Sequence, residues 1–290
     1  MLTGLRRLGS TNDFLGEGPI WSAADECFYW VDIRGCLVRQ WTPATDEVRT
    51  WTAPSFVGSI APREKGGLLV ALQSSLALFE PNRGVFEHFV SLPDVTSEQR
   101  TNDGKCDPAG RFWVGTMNIV TRLPDGILYC IEPSGAVRIV LRDLAVPNSL
   151  AWDSAGTTMY FSQTRDHRML RYVFDASTGA IDNASLVFTT DEPGTPDGAT
   201  VDAEDHLVFA EYGNGRLVRL DPQGQIAGMT TVPCQYPTNC AFGGEDFRTA
   251  LITSSNWLIP EDQRFRHPKE GAVYVAMSDV PGVAPTCFKL

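Results

Sequence analysis

Apolar positions along this chain fall in short runs rich in β-branched and aromatic residues. They do not recur at the 3.6-residue spacing of amphipathic helices, and Gly, Pro, Asn and Asp punctuate them. The runs themselves repeat. "FYWVDI" (28–33), "LLVAL" (68–72), "FWVGTM" (112–117), "MYFSQT" (159–164), "LVFAEY" (207–212) and "ALITSS" (250–255) each open a unit. Each is followed by a second run: "LVRQW" (37–41), "LALFE" (76–80), "ILYCI" (127–131), "MLRYV" (169–173), "RLVRL" (216–220) and "AVYVA" (272–276). A Pro-, Asp- or Gly-rich turn comes next, and then, in five of the six units, a third run such as "VRTW" or "FEHFV". Ahead of each first run lies a short patterned segment: "EGPIWS", "GSIAPR", "NDGKCD", "NSLAWD", "DGATVD" and "NCAFGG". The pattern predicts four strands per unit, six times over.

A four-stranded antiparallel unit exposes two apolar faces and two edges, so it needs neighbours. Radial stacking of such units gives a β-propeller. The sequence predicts an all-β, six-bladed β-propeller with four antiparallel strands per blade, one domain spanning residues 1–290. The sixth unit is short of a fourth strand. "LRRLG" (5–9), beside "AVYVA", is expected to supply it and close the ring, with "TCFKL" (286–290) as the competitor.

The innermost strands of a propeller line a central channel, so equivalent positions on them converge. The first residues of the six short segments are Glu17, Gly58, Asn102, Asn148, Asp197 and Asn239, spaced by 41 to 49 residues. A single Asn or Asp at such a point reads as a strand or turn cap. Five carboxylates and amides at equivalent points of six repeats read as a polar ring. Such a ring in a narrow channel is costly, because like charges repel and desolvated carboxylates resist ionisation. A bound cation removes that cost. With oxygen donors and no Cys or His, a hard divalent ion fits best.

At these residues the chain resembles the SMP-30/gluconolactonase/regucalcin family. The markers are "LGEGPIW" (15–21), "RTNDGKCDPAGRFWVGTM" (100–117), "PNSLAWD" (147–153), "PDGATVDAEDHLVFAEYGNGRLVRLDP" (196–222) and "TNCAFGG" (238–244). The resemblance implies a hydrolase acting on carboxylic ester bonds, which opens a sugar lactone to its sugar acid with one divalent cation in the channel. It implies Ca2+ first, with Zn2+, Mn2+, Mg2+ and Fe2+ as alternatives. It also implies Glu17, Asn148 and Asp197 as metal ligands, with Asp197 doubling as candidate general base. Arg100 and Asn102 would contact substrate, with Asp103 beside them. Two departures bear on substrate rather than metal. "NIVTRLPDG" (118–126) lacks an early acid, for which Asn118 stands in, and Gln163 occupies a place where relatives often carry Asp. The segment 254–271 either roofs the site or only links two strands.

Composition narrows the alternatives. The net charge is −11, without a Lys/Arg run, which argues against nucleic acid and anionic membrane as partners. No apolar stretch is long enough to span a bilayer, and the first residues do not read as a signal peptide, so a cytoplasmic location is expected. Seven scattered cysteines without a C-x-x-C pair predict reduced thiols. Trp21, Trp30, Trp113 and Trp152 are expected to pack between blades. No serine-hydrolase elbow, phosphate loop or H-E-x-x-H motif occurs. Two other readings stay open: a non-catalytic calcium-binding propeller, and a metal-dependent esterase or phosphotriesterase.

Overall fold

A computed structural model describes residues 2–121 and 123–290. Strand β1 (Leu2–Arg7) precedes the first full blade, formed by β2 (Gly16–Ser22), β3 (Cys27–Asp32), β4 (Leu37–Thr42) and β5 (Glu47–Thr52). The second comprises β6 (Val57–Pro62), β7 (Leu68–Leu72), β8 (Ser75–Glu80) and β9 (Val85–Ser91). The third comprises β10 (Gln99–Cys106), β11 (Phe112–Asn118), β12 (Gly126–Ile131) and β13 (Val137–Leu144). The fourth comprises β14 (Pro147–Trp152), β15 (Thr158–Gln163), β16 (Arg168–Asp175) and β17 (Ala180–Thr189). The fifth comprises β18 (Thr195–Val201), β19 (Leu207–Tyr212), β20 (Arg216–Leu220) and β21 (Ile226–Thr231). The sixth pairs β22 (Pro237–Gly243), β23 (Thr249–Ser254) and β24 (Tyr274–Ser278) with β1.

The six antiparallel sheets thus form a six-bladed propeller, as the repeat predicts. Closure comes from the N-terminal strand, in register Leu2–Ser278 to Arg7–Tyr274, slightly earlier in the sequence than "LRRLG" suggested. The competing segment lies elsewhere: Phe288 bridges Arg63 and packs, fully buried, in the apolar layer between blades two and three. The inner strands touch in sequence around the ring, β2 to β6, β10, β14, β18, β22 and back to β2.

Apolar side chains fill the spaces between blades. Trp21 and Trp30 of blade one pack on Leu251 and Val275 of blade six. Trp113 and Trp152 meet edge to face at 5.9 Å between blades three and four, a geometry the ring quadrupoles favour. The indole nitrogens of Trp30 and Trp113 donate to the buried carboxylates Asp13 and Asp107. All seven cysteines are free. Among the described residues no helix is long and apolar enough to cross a membrane.

Candidate metal centre and substrate cavity

Each inner strand carries one extra residue relative to its partner, and the irregularity falls at the polar column. The register shifts lie between Glu17 and Ile20, Val57 and Ser59, Thr101 and Gly104, Asn148 and Ala151, Pro196 and Ala199, and Pro237 and Asn239. Such bulges twist a strand and re-aim a side chain. Gly18 and Ser149, the residues after Glu17 and Asn148, have φ of 52° and 60°. The six-fold repeat of this local defect is what converts a strand position into a channel-facing one.

The bulges gather Glu17, Asn102, Asn148 and Asp197 on one cavity of about 210 Å3, with Arg100 beside them. Asn239 stands behind, its amide donating to Glu17 Oε2 at 3.2 Å. Glycine at 198 makes this possible, because a Cβ there would sit 2.0 Å from Asn239 Cγ. Gly58, the apolar member of the column, is equally constrained: a Cβ would meet the Thr101 backbone at 2.6 Å.

The hydrogen bonds run along β10 and then cross from blade three to blade four. Arg100 Nη1 donates to Thr101 O and Asn102 Oδ1, each at 2.7 Å. Asn102 Nδ2 donates to Asn148 Oδ1 at 2.8 Å, and Asn148 Nδ2 to Thr164 Oγ1 at 2.6 Å. Glu17 and Asp197 are each only 6% exposed. Burial pushes both carboxyls up from the ordinary range; the Asp103 charge adds to the rise at Glu17, and the Glu17 and Asp103 charges add to the rise at Asp197. Asp197 Oδ1 is buried with no hydrogen-bond partner. An orphaned carboxylate oxygen beside a second buried carboxylate and an amide oxygen is the donor chemistry of a hard divalent cation. The residues present therefore fit the ion. Among the described residues no three His, Cys, Asp or Glu side chains form a metal-binding group; this set has two carboxylates and takes its further oxygen from Asn148.

Asp103 and Asn118 sit differently. Asp103 is buried but does not line the cavity. Its oxygens accept from Gly104 N and Leu150 N, each at 3.0 Å, tying β10 to β14. Asn118 lines the cavity, yet its amide is engaged with Val120 N, Thr121 N and Asp125 Oδ2. Gln163 Oε1 accepts from Ala145 N and holds the loop between blades. The segment 254–271 reaches the site: Trp257 and Leu258 form part of its wall.

Several lining residues were not singled out from the sequence, among them Arg34, Thr164, Arg165 and Tyr212. They lie at or just beyond the ends of strands, where the repeat loses register. Thr164 and Tyr212 carried a signal, since they close the runs "MYFSQT" and "LVFAEY". The opposite mouth of the channel opens on a separate cavity of about 170 Å3, lined by the far ends of the same inner strands, Trp21, Lys105, Trp152 and Phe242 included. It lacks the carboxylate pair.

A six-bladed propeller with a buried carboxylate–amide set at one channel mouth defines the class. The chain belongs to the SMP-30/gluconolactonase/LRE-like family, whose description matches residues 15–256. It is 33% identical over 276 residues to a 6-deoxy-6-sulfogluconolactonase of Pseudomonas putida, covering 94% of each chain. It is 30% identical over 282 residues to regucalcin of Xenopus laevis, again covering 94% of each. Among solved structures it superposes on a calcium-binding protein, regucalcin, from Agrobacterium tumefaciens with a TM-score of 0.94, at 28% identity, covering 99% and 98% of the two chains.

Proposed function

We propose that the chain hydrolyses a sugar lactone to the sugar acid with the help of one divalent cation, Ca2+ first among the candidates. The observation that carries this reading is the buried Glu17–Asp197 pair, with its orphaned oxygen, in the same cavity as Arg100 and Asn102. A purely structural ion would not need a guanidinium beside it. The lactonase relatives support the reaction class, and the calcium-binding propeller among the structural neighbours supports the cofactor class.

When bound by Glu17, Asp197 and Asn148, the cation supplies a Lewis acid that polarises the lactone carbonyl and eases deprotonation of water. Arg100 and Asn102 orient the sugar oxygens, their own positions fixed by the bonds between them. Asp197, whose Oδ1 has no partner within the protein, accepts the proton of the attacking water. Attack at the carbonyl carbon breaks the ring C–O bond, and the departing ring oxygen takes up a proton as the hydroxy acid forms. Asp103 supports the site from behind and Asn118 from the cavity wall, each by accepting from backbone amides.

The test is proton release across a panel of γ- and δ-sugar lactones and aryl esters, on metal-stripped protein with each divalent ion added back. Turnover of lactones with a divalent ion supports the reading. Turnover of aryl esters alone would transfer the site to an esterase, and no turnover with any pairing would leave a cation-binding propeller.

A further inference from the structure

Arg100, Asn102, Asn148 and Thr164 form one chain of hydrogen bonds with a single sense. Arg100 Nη1 donates to Asn102 Oδ1 at 2.7 Å, and Asn102 Nδ2 to Asn148 Oδ1 at 2.8 Å. Asn148 Nδ2 then donates to Thr164 Oγ1 at 2.6 Å, and Thr164 Oγ1 to Pro196 O at 3.0 Å. The chain starts on blade three, passes through blade four and ends on β18 of blade five, one residue before Asp197. Its two ends leave no choice of direction. A guanidinium only donates, so Asn102 turns its oxygen to Arg100 and its nitrogen to blade four. A second acceptor of that nitrogen, Pro147 O at 2.9 Å, holds the orientation. A backbone carbonyl only accepts, so Thr164 commits its proton to Pro196 O and offers a lone pair to Asn148. Both ends therefore turn the Asn148 amide the same way. Its nitrogen is held by Thr164, while its oxygen accepts from Asn102 and keeps a second lone pair. With the opposite sense Asn148 would offer N–H groups where a hard cation needs oxygen. Asn102 and Asn148 are buried, where an unpaired donor is costly.

We propose that Thr164 is a positioning residue of the metal centre: its hydroxyl sets the orientation in which Asn148 offers oxygen to the divalent ion. The inference rests on the ligand set Glu17, Asn148 and Asp197 of the reading above and adds a residue that itself binds no ion. Thr164 is fixed for this role by its backbone. Its N–H donates to Val146 O at 3.0 Å, and its carbonyl accepts from His167 N at 3.3 Å in the 3-10 turn Thr164–Asp166. Neither bond uses the hydroxyl. The spacing of β14 and β18 has a separate tie, since the Ser149 hydroxyl donates to Asp197 O. Losing the Thr164 hydroxyl therefore frees the Asn148 amide while the strands stay joined. Groups that orient metal ligands from behind typically change affinity or activity about 10–100-fold when removed.

Calorimetric titration of metal-free protein with Ca2+, Mn2+ and Mg2+ tests it, on the wild type, Thr164→Val and Thr164→Ser. Val keeps the shape of Thr and both backbone bonds and removes only the hydroxyl. For the ion that the wild type binds most tightly, the expected result is an affinity about tenfold or more lower in Thr164→Val. Thr164→Ser should restore it to within a few-fold of wild type. With saturating ion, lactone turnover by Thr164→Val should recover with KM unchanged, whereas a hydroxyl that contacts substrate would raise KM. A merely structural role would lower the melting temperature of the metal-free variant and leave its ion affinity alone. Unchanged affinity in Thr164→Val, or a loss that Ser does not restore, overturns the positioning role and leaves the metal-dependent reading standing. A wild type that binds none of the ions overturns that reading and this inference together. If no lactone is turned over, the ion affinities alone decide. Should Thr164→Val fail to fold, Thr164→Ala carries the same comparison with the same outcomes.

Discussion

At the residue scale the site is governed by two carboxylates that the fold forces together. Asp197 Oδ1 has no partner within the protein, and Glu17 is held in place by Asn239 and Gly18 N. Asp197→Asn keeps an oxygen donor and removes the base. We expect the variant to retain a divalent ion, measured by calorimetry, while turnover falls by about 100-fold or more, in line with the 10²–10⁴-fold usually supplied by a positioned base. Near-normal turnover would reduce Asp197 to a ligand. The pair also sets a pH dependence. Both carboxyls titrate above the ordinary carboxylate range because of burial first and neighbouring carboxylate charge after it, from Asp103 at Glu17 and from Glu17 and Asp103 at Asp197. A raised folded pKa contributes stability that is full below the unfolded value, about 4, and is lost as pH rises through the folded one. Metal-free protein should therefore lose melting temperature from this source as pH rises above about 4, and added Ca2+ should recover more at higher pH. A Ca2+-induced rise in Tm that is flat with pH would contradict this, and Glu17→Gln should flatten it.

At the element scale the recurring part is the bulged inner strand with its Asp-led hairpin turn. Asp107 Oδ1 accepts from Ala109 N and Arg111 N, and Asp202 Oδ1 from Glu204 N and His206 N; the same turn recurs between β20 and β21, where Asp221 Oδ1 accepts from Gln223 N and Gln225 N. Asp107 does more, since it also holds buried Arg111 at 2.6 Å and the Trp113 indole at 2.9 Å. Asp107→Ala strands a buried guanidinium, and we expect it to cost about 3–5 kcal/mol. Asp221→Ala, at an exposed turn, should cost about 1 kcal/mol. Denaturant midpoints at constant m-value compare them, and equal losses would show that the buried ion pair adds nothing. The blades and the column were legible because they recur: a strand-turn pattern repeated every 41 to 49 residues brings Glu17, Asn148 and Asp197 together whatever the loops do. The bulges were not legible, since one extra residue leaves no composition signal. Arg34, Arg165 and Trp257 were not either. They come from connections that differ in every blade, so no register predicts where they point.

At the scale of the whole molecule, the ring is closed by a blade drawn from both ends of the sequence, and that seam adjoins the site. Blade six contributes Asn239, whose amide holds Glu17 in blade one, and Thr238, whose hydroxyl donates to Gly16 O. The sixth blade is completed only by β1 against β24, and β1 is partly exposed along its length. Leu2 and Leu5 pack on the layer between blades five and six. Deleting residues 2–7 would bare the edge of β24 and free the seam to open. An exposed strand edge invites association. We expect the truncated protein to melt at lower temperature, to self-associate on size exclusion, and to bind Ca2+ more weakly, because opening moves Asn239 away from Glu17. The three effects should arise together, and saturating Ca2+ should raise the melting temperature, since a ligand bound only by the folded form stabilises it by mass action. A truncated chain that melts lower yet binds Ca2+ with unchanged affinity would show that the seam closes the ring without holding the site.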